Sequence, residues 1–280
     1  MKKFLKSLVL MLSLVCGAYG QDQEFIRFMP GATEQDGEVQ VAVTQLMGPN
    51  DVKITLYGVI HVADADYYAQ VQKDLDTFDT VLYEGVKTGT MVNPETKILN
   101  AIQKGMGKVL GLTFQKDGID YTRPNLVHAD IGADELQAAM GEQPLTPFGQ
   151  LESDQQDQVA PILDLVGDLA AHFLNTNPEW RNELKSKFGK QIAEADLENS
   201  FDPRLYKAIV IDRNQIVMDV LDAQLKDHPE KKNIAIFYGA GHNADFVKRF
   251  KAAGYKLTDQ RWMPAWKLGN GAANLELEPR

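Results

Sequence analysis

Residues 53–85 read KITLYGVIHVADADYYAQVQKDLDTFDTVLYEG, and their pattern decides the fold. From Lys53 to Ile60 the chain is nearly continuous in apolar character through Ile54-Thr55-Leu56-Tyr57, as a strand buried on both faces must be. Asp64 stands where a helix cap would, before Ala65 to Phe78, with Tyr68, Val71, Leu75 and Phe78 at helical spacing. A short apolar run, Thr80-Val81-Leu82-Tyr83, comes next and ends at Glu84-Gly85. Strand, helix and strand in so short a length make a βαβ unit with parallel strands, and the second strand is expected beside the first.

Working outward, Val39 to Leu46 reads as a strand joined to Lys53–Ile60 by a turn at Gly48-Pro49-Asn50-Asp51. Leu126-Val127-His128-Ala129-Asp130 looks like a short strand, whereas the middle of the chain, Met91 to Ser200, is mostly helical. There Val159, Ile162, Leu163, Val166, Leu169, Ala170 and Phe173 make a broad amphipathic stripe. Asp202-Pro203 opens a long helix to about Lys226, with proline in the first turn. Asn233 to Tyr238 is a strongly apolar strand, and a helix from about Asn243 to Ala253 stops at Gly254. From Leu268 the chain is polar, carries Asn270-Gly271 and is expected to be loose.

The first twenty residues have the pattern of a cleaved export signal. Lys2, Lys3 and Lys6 precede an apolar core from Phe4 to Val15, and Ala18-Tyr19-Gly20 fits cleavage before Gln21. Val15 is a poor residue to precede a lipidated Cys16. The expected organisation is therefore a signal over 1–20 and one domain over 21–280, periplasmic or secreted, with no integral membrane anchor after cleavage. Losing three lysines leaves 26 Lys and Arg against 39 Asp and Glu, a formal charge of −13. That charge argues against nucleic acid or an anionic membrane as main partner. Cys16, the one cysteine, would leave with the signal, so neither a disulfide nor a thiol nucleophile remains.

Other familiar chemistries fall away by inspection. Ser153, Ser186 and Ser200 lie in no Gly-x-Ser-x-Gly elbow. There is no His-Glu-x-x-His and no Walker phosphate loop. Gly239-Ala240-Gly241-His242-Asn243-Ala244 matches a Gly-x-Gly-x-x-Ala dinucleotide fingerprint, but its place near the end of the chain does not suit one. What stands out is an internal echo. Tyr57-Gly58-Val59-Ile60-His61-Val62-Ala63-Asp64 and Tyr238-Gly239-Ala240-Gly241-His242-Asn243-Ala244-Asp245 each run from strand through Gly-x-x-His to helix. Both histidines thus fall at the carboxyl end of a strand, where open α/β sheets build ligand sites. An imidazole there serves as base, acid or metal ligand. His128, His172 and His228 read as structural or surface residues.

Glu84 ends its strand on the same expected edge, and Asp130 is a weaker candidate of the same type. Arg213 lies four residues after Ile209 and three before Ile216, within the apolar face of its helix, where a guanidinium needs a carboxylate or an anion.

Gly58-x-x-His61, Glu84 at a strand end, Arg213-Asn214 in a long helix and Gly239-x-x-His242 together resemble the TraB/GumN family, over roughly Ile54 to Leu257. That family includes the Tiki-type proteases and is related to erythromycin esterase-like and ChaN-like proteins. The resemblance implies an α/β fold: a central mixed, mostly parallel sheet flanked by helices, with a helical insertion in the middle of the chain. It also implies a site made of both histidines, the acidic residue and the arginine. Its members differ in chemistry: Tiki-type proteins are metal-dependent peptidases, esterase-like members hydrolyse a lactone, and ChaN-like members bind haem. Two histidines and a carboxylate match a catalytic divalent metal ion with one position open for water. In that reading His61, His242 and Glu84 ligate the ion or Glu84 acts as base, and Arg213 stabilises the oxyanion or holds Glu84. The expected activity is hydrolysis of a peptide or amide, with a peptide or small molecule as substrate. Histidine-based hydrolysis without metal, and non-catalytic binding of haem or another ligand, are the alternatives.

Overall fold

A computed structural model describes residues 19–20, 23–33, 36–86, 94–141, 151, 153–196, 198 and 202–269. Most of the expected signal, Met91, Ser200 and Asn270-Gly271 lie outside the described residues. The fold is α/β. The strands of its main sheet are β1 (Ile26–Pro30), β2 (Gly37–Met47), β3 (Lys53–Val59), β4 (Thr80–Tyr83), β5 (Leu126–His128), β6 (Asn233–Gly239) and β7 (Lys256–Leu268). The main helices are α1 (Ala65–Leu75), α2 (Pro94–Leu110), α3 (Ala133–Met140), α4 (Ser153–Asn175), α5 (Pro178–Ala193), α6 (Asp212–Asp227) and α7 (Asn243–Ala252). Between β5 and β6 the described residues are mostly helical, as the sequence predicts.

The sheet runs β7-β2-β3-β6-β4-β5, with β1 also paired to β2. β3, β6, β4 and β5 are mutually parallel, and β1, β2 and β7 pair antiparallel at one side. Here one expectation is corrected. β4 does not pair with β3, because β6 enters between them: Ile236 lies opposite both Leu56 and Leu82. The cause is burial. Every residue of β6 from Ile234 to Gly239 is buried, and so apolar a strand belongs where helices cover both faces.

Two strands escape the sequence reading. β1 is short. β7 reads KLTDQRWMPAWKL, with charges and Pro264 inside it. Proline is tolerated there because β7 is an outer strand with register shifts at Leu257/Asp259 and Pro264/Trp266. Its far end is nonetheless deep, since Trp266 is among the largest fully buried side chains.

Two helices also differ from expectation. Before α6 the chain makes a short α-turn, Pro203–Tyr206, capped by the Asp202 carboxylate, then a π-helical turn, Lys207–Ile211. The wider turn rephases α6. Its buried face carries Arg213, Asn214, Val217 and Leu221, not Ile216 and Val220. In α4, Ile162, Leu165, Val166, Leu169 and Phe173 are each more than half exposed. α4 meets α2 through small residues instead: a Cβ on Gly167 would stand 3.2 Å from the Cα of Gly105. Among the described residues no helix is long and apolar enough to cross a membrane.

Candidate active site

The carboxyl ends of the four parallel strands assemble the site. His61 follows β3, Glu84 follows β4, Asp130 follows β5 and His242 follows β6. This is the edge at which open α/β sheets place ligands.

His61 is held along its whole segment. The buried Tyr68 hydroxyl donates to the Ile60 carbonyl at 2.6 Å. The His61 carbonyl accepts from the Gln115 N–H at 2.7 Å, and Val62–Ala63 pairs with Thr113–Phe114. Trp266 Nε1 donates to the Val62 carbonyl at 2.6 Å. Asp64 does not cap α1 through its side chain. Its carboxylate instead accepts from Lys185 Nζ at 2.9 Å and from the Lys267 N–H at 2.6 Å. A buried ammonium needs that carboxylate more than a helix end needs a cap.

Glu84, Arg213 and Asp130 form a buried triad whose side chains are 10%, 9% and 0% exposed. Arg213 Nε and Nη2 donate to the two oxygens of Asp130 at 2.9 and 2.7 Å, a bidentate pairing. Nη2 also reaches Glu84 Oε1 at 2.7 Å, and Nη1 donates to the Ile209 carbonyl within the π-turn at 3.3 Å. Asp130 further accepts from the N–H groups of Gly85 and Ile131, both at 2.8 Å. The other oxygen of Glu84 accepts from the Gly239 N–H at 2.6 Å. Arg213 thus ties Glu84 to Asp130 across the strand ends.

These charges set the protonation states. Burial pushes the Glu84 carboxyl up, but Arg213, then His61 and His242, override it, and with the Gly239 N–H they hold it well below the usual carboxylate range. Burial, and then the Arg213 charge, push His242 down to about 4, against the opposing pull of Glu84 and Asp130. At neutral pH the site therefore pairs an ionised glutamate with a neutral imidazole.

The tautomer of that imidazole is set by its neighbours. Asn214 Nδ2 donates to the His242 carbonyl at 3.1 Å and to Asp245 Oδ2 at 2.9 Å. Both partners are acceptors, so the amide orientation is determined. Asn214 Oδ1 then faces His242 Nδ1 at 2.6 Å and takes its hydrogen. Nε2 keeps its lone pair, 4.0 Å from Glu84 Oε1. His61 also meets an amide, its Nδ1 lying 2.7 Å from Gln115 Oε1, and Gln115 Nε2 lies 3.0 Å from the Tyr121 hydroxyl. Each motif thus seats its histidine Nδ1 on an amide side chain.

The two motifs also touch. A Cβ on Gly58 would stand 2.5 Å from Asn243 Nδ2 and 3.1 Å from the Ala240 Cβ, so only glycine lets the loops approach this closely.

The fit of a divalent ion is limited by this bonding. Among the described residues no group of three His, Cys, Asp or Glu stands ready to hold a metal ion. Each oxygen of Glu84 already accepts one hydrogen bond, Oε1 from Arg213 and Oε2 from the Gly239 N–H, so an ion on Oε1 would stand beside a guanidinium.

The four predicted residues are accompanied by three whose roles the sequence did not reveal. Asp130 obeyed the strand-end rule but had less support than Glu84. Asn214 sits beside Arg213 on the same buried face. Gln115 had no signal, because a two-residue ladder delivers it from a distant part of the chain. His128 proves to be a neighbour of the triad, its Nε2 meeting the Gly85 carbonyl. His228 is exposed, pairing only loosely with Glu230 at 3.7 Å. Comparison with known protein families, with curated proteins and with solved structures finds no match for this chain.

Proposed function

We propose that this chain is an exported hydrolase of the TraB/GumN type that splits a peptide, amide or ester bond with an activated water. The observation that carries this reading is the facing pair of acceptors, His242 Nε2 and Glu84 Oε1, 4.0 Å apart. A lone pair and a carboxylate oxygen at that spacing suit one water donating a hydrogen to each. His242 takes a proton as the water oxygen adds to the substrate carbonyl carbon, a general-base step worth roughly 10²–10⁴-fold in rate. Glu84, kept ionised by Arg213, stabilises the imidazolium. When the tetrahedral intermediate collapses, the proton passes to the departing amine or alkoxide. His61 is the second proton carrier.

A second reading, hydrolysis with a divalent ion, is favoured by the amide on each histidine Nδ1, because an Nε2 freed by a hydrogen-bonded Nδ1–H, as in His242, is the usual metal-binding form. Holding an ion would require His61, His242 and Glu84 to draw closer than they stand, and the ion would then supply Lewis-acid polarisation of the carbonyl.

The test is a panel of peptide, ester and lactone substrates assayed with and without chelator. The first reading expects turnover that chelation leaves intact and that His242→Ala, His61→Ala and Glu84→Gln each reduce by about 10²-fold or more. Loss on chelation, restored by a divalent ion, would select the second. Absence of hydrolysis across the panel would overturn both.

A further inference from the structure

α4 carries an apolar seam that no described residue covers. Ile162, Val166, Leu169 and Phe173 succeed one another at four, three and four residues, the spacing by which one helix meets another in a coiled-coil contact. Leu165 widens the seam, and Trp180 of α5 extends it, its ring 5.5 Å from that of Phe173. All six side chains are more than half exposed. At about 100 Å² each they present roughly 600 Å², at the upper end of what a monomer's largest apolar patch shows.

The charges around the seam narrow its occupant. Its flanks hold Leu163 and Ala170 on one side, Leu165 and His172 on the other, with no Asp or Glu. Asp157, Asp164 and Asp168 of α4 turn toward lysines of α2. Asp157 pairs with Lys97 at 2.8 Å, and Asp168 with Lys108 at 2.6 Å. A helix lying on a membrane carries Lys and Arg on its polar face, and this one carries paired aspartates. Two such acidic chains can therefore meet along this stripe without opposing carboxylates. Two stripes buried together would remove about 1,200 Å² in total, the lower bound of a stable protein interface.

We propose that this face is a homodimer interface, in which α4 of one copy packs antiparallel on α4 of a second about a two-fold axis. The seam runs from Ile162 to Phe173, so the axis passes between Val166 and Leu169. Val166 of each copy then faces Leu169 of the other.

The experiment uses protein expressed from the full reading frame, with solution mass measured over a range of concentration. The expected wild-type mass is twice that of one chain. Leu169→Glu and Val166→Lys, each placing like charges across the axis, should each give monomers with unchanged circular dichroism, because the side chains replaced lie on the surface of a single chain, and with a melting temperature that no longer rises with protein concentration. Mixing the two variants should restore a dimer, since Glu at 169 then faces Lys at 166. A wild-type monomer at every concentration, a dimer that survives both substitutions, or variants that stay monomeric when mixed would each overturn the proposal. So would a wild-type monomer that floats with zwitterionic vesicles.

Discussion

At the scale of single residues, burial sets the charge states of the candidate site. The imidazole of His242 in the open would hold its proton near pH 6.5. Buried beside a permanent guanidinium it releases that proton at about 4. A base depressed in this way has a definite linkage sign. Above pH 6.5 both folded and unfolded chains leave His242 neutral, so its contribution to stability is whole. As pH falls from 6.5 toward 4, the unfolded chain takes up a proton that the folded chain refuses, and stability declines. Glu84, depressed as well, adds a further loss below the ordinary carboxylate range, where the unfolded chain protonates first. Urea melts from pH 8 to 4 are expected to show this loss, with the upper part of the decline shallower in His242→Asn. An equal slope in that variant would assign the decline to other groups. In Glu84→Gln, which deletes the charge that supports protonation of His242, the imidazole should titrate lower still, as read by its proton resonances.

At the scale of elements, the two Gly-x-x-His loops form one packed unit. Gly58→Ala would drive a methyl group to 2.5 Å from the amide of Asn243, which is fully buried and cannot swing aside. Overpacking of this kind costs about 1–3 kcal/mol. Because the displaced loop carries His242, the same variant should lose activity beyond what its stability explains. Stability unchanged to within a few tenths of a kcal/mol in chemical denaturation would mean that the loops are not in contact. The end of β7 is a comparable lock on the first loop. Trp266→Ala would remove the Nε1 donor to Val62 together with a fully buried indole, at a cost of about 3–5 kcal/mol.

At the scale of the whole molecule, stability should be unevenly spread. β3, β6 and β4 lie at the centre of the sheet with their faces covered, whereas α2 and α4 meet through glycines and leave an apolar seam in water. Amides of the central strands should open only with global unfolding, and those of α4 through local opening of lower free energy. Native-state hydrogen exchange reads this directly. Equal protection of β6 and α4 would show that the helical insertion is as firmly seated as the sheet. If the seam is covered by a second copy, protection of α4 should rise with protein concentration.

The local pattern of the chain determined which segments are strands at the centre of the fold. It also determined that His61, Glu84 and His242 stand at strand ends. Apolar runs and helical spacing are properties of neighbouring residues, and the rule that ligand sites lie at the carboxyl edge of parallel strands needs no more than those segments. Arg213 was legible for a similar reason, since a guanidinium among apolar residues at helical spacing demands a partner. Other features became visible only in three dimensions. The entry of β6 between β3 and β4 depends on which strand gains most from burial on both faces, a comparison between distant segments. The π-turn before α6 shifts the buried face by one residue, which no regular period reveals. Gln115 and Asn214, which meet the Nδ1 atoms of the two histidines, hold ordinary amides whose meaning comes from what lies 2.6–2.7 Å away. β7 was hidden because an outer strand with charges, a proline and two register shifts has no strand-like pattern of its own. Its pairing with β2 and its buried Trp266 make it a strand, and those are tertiary contacts.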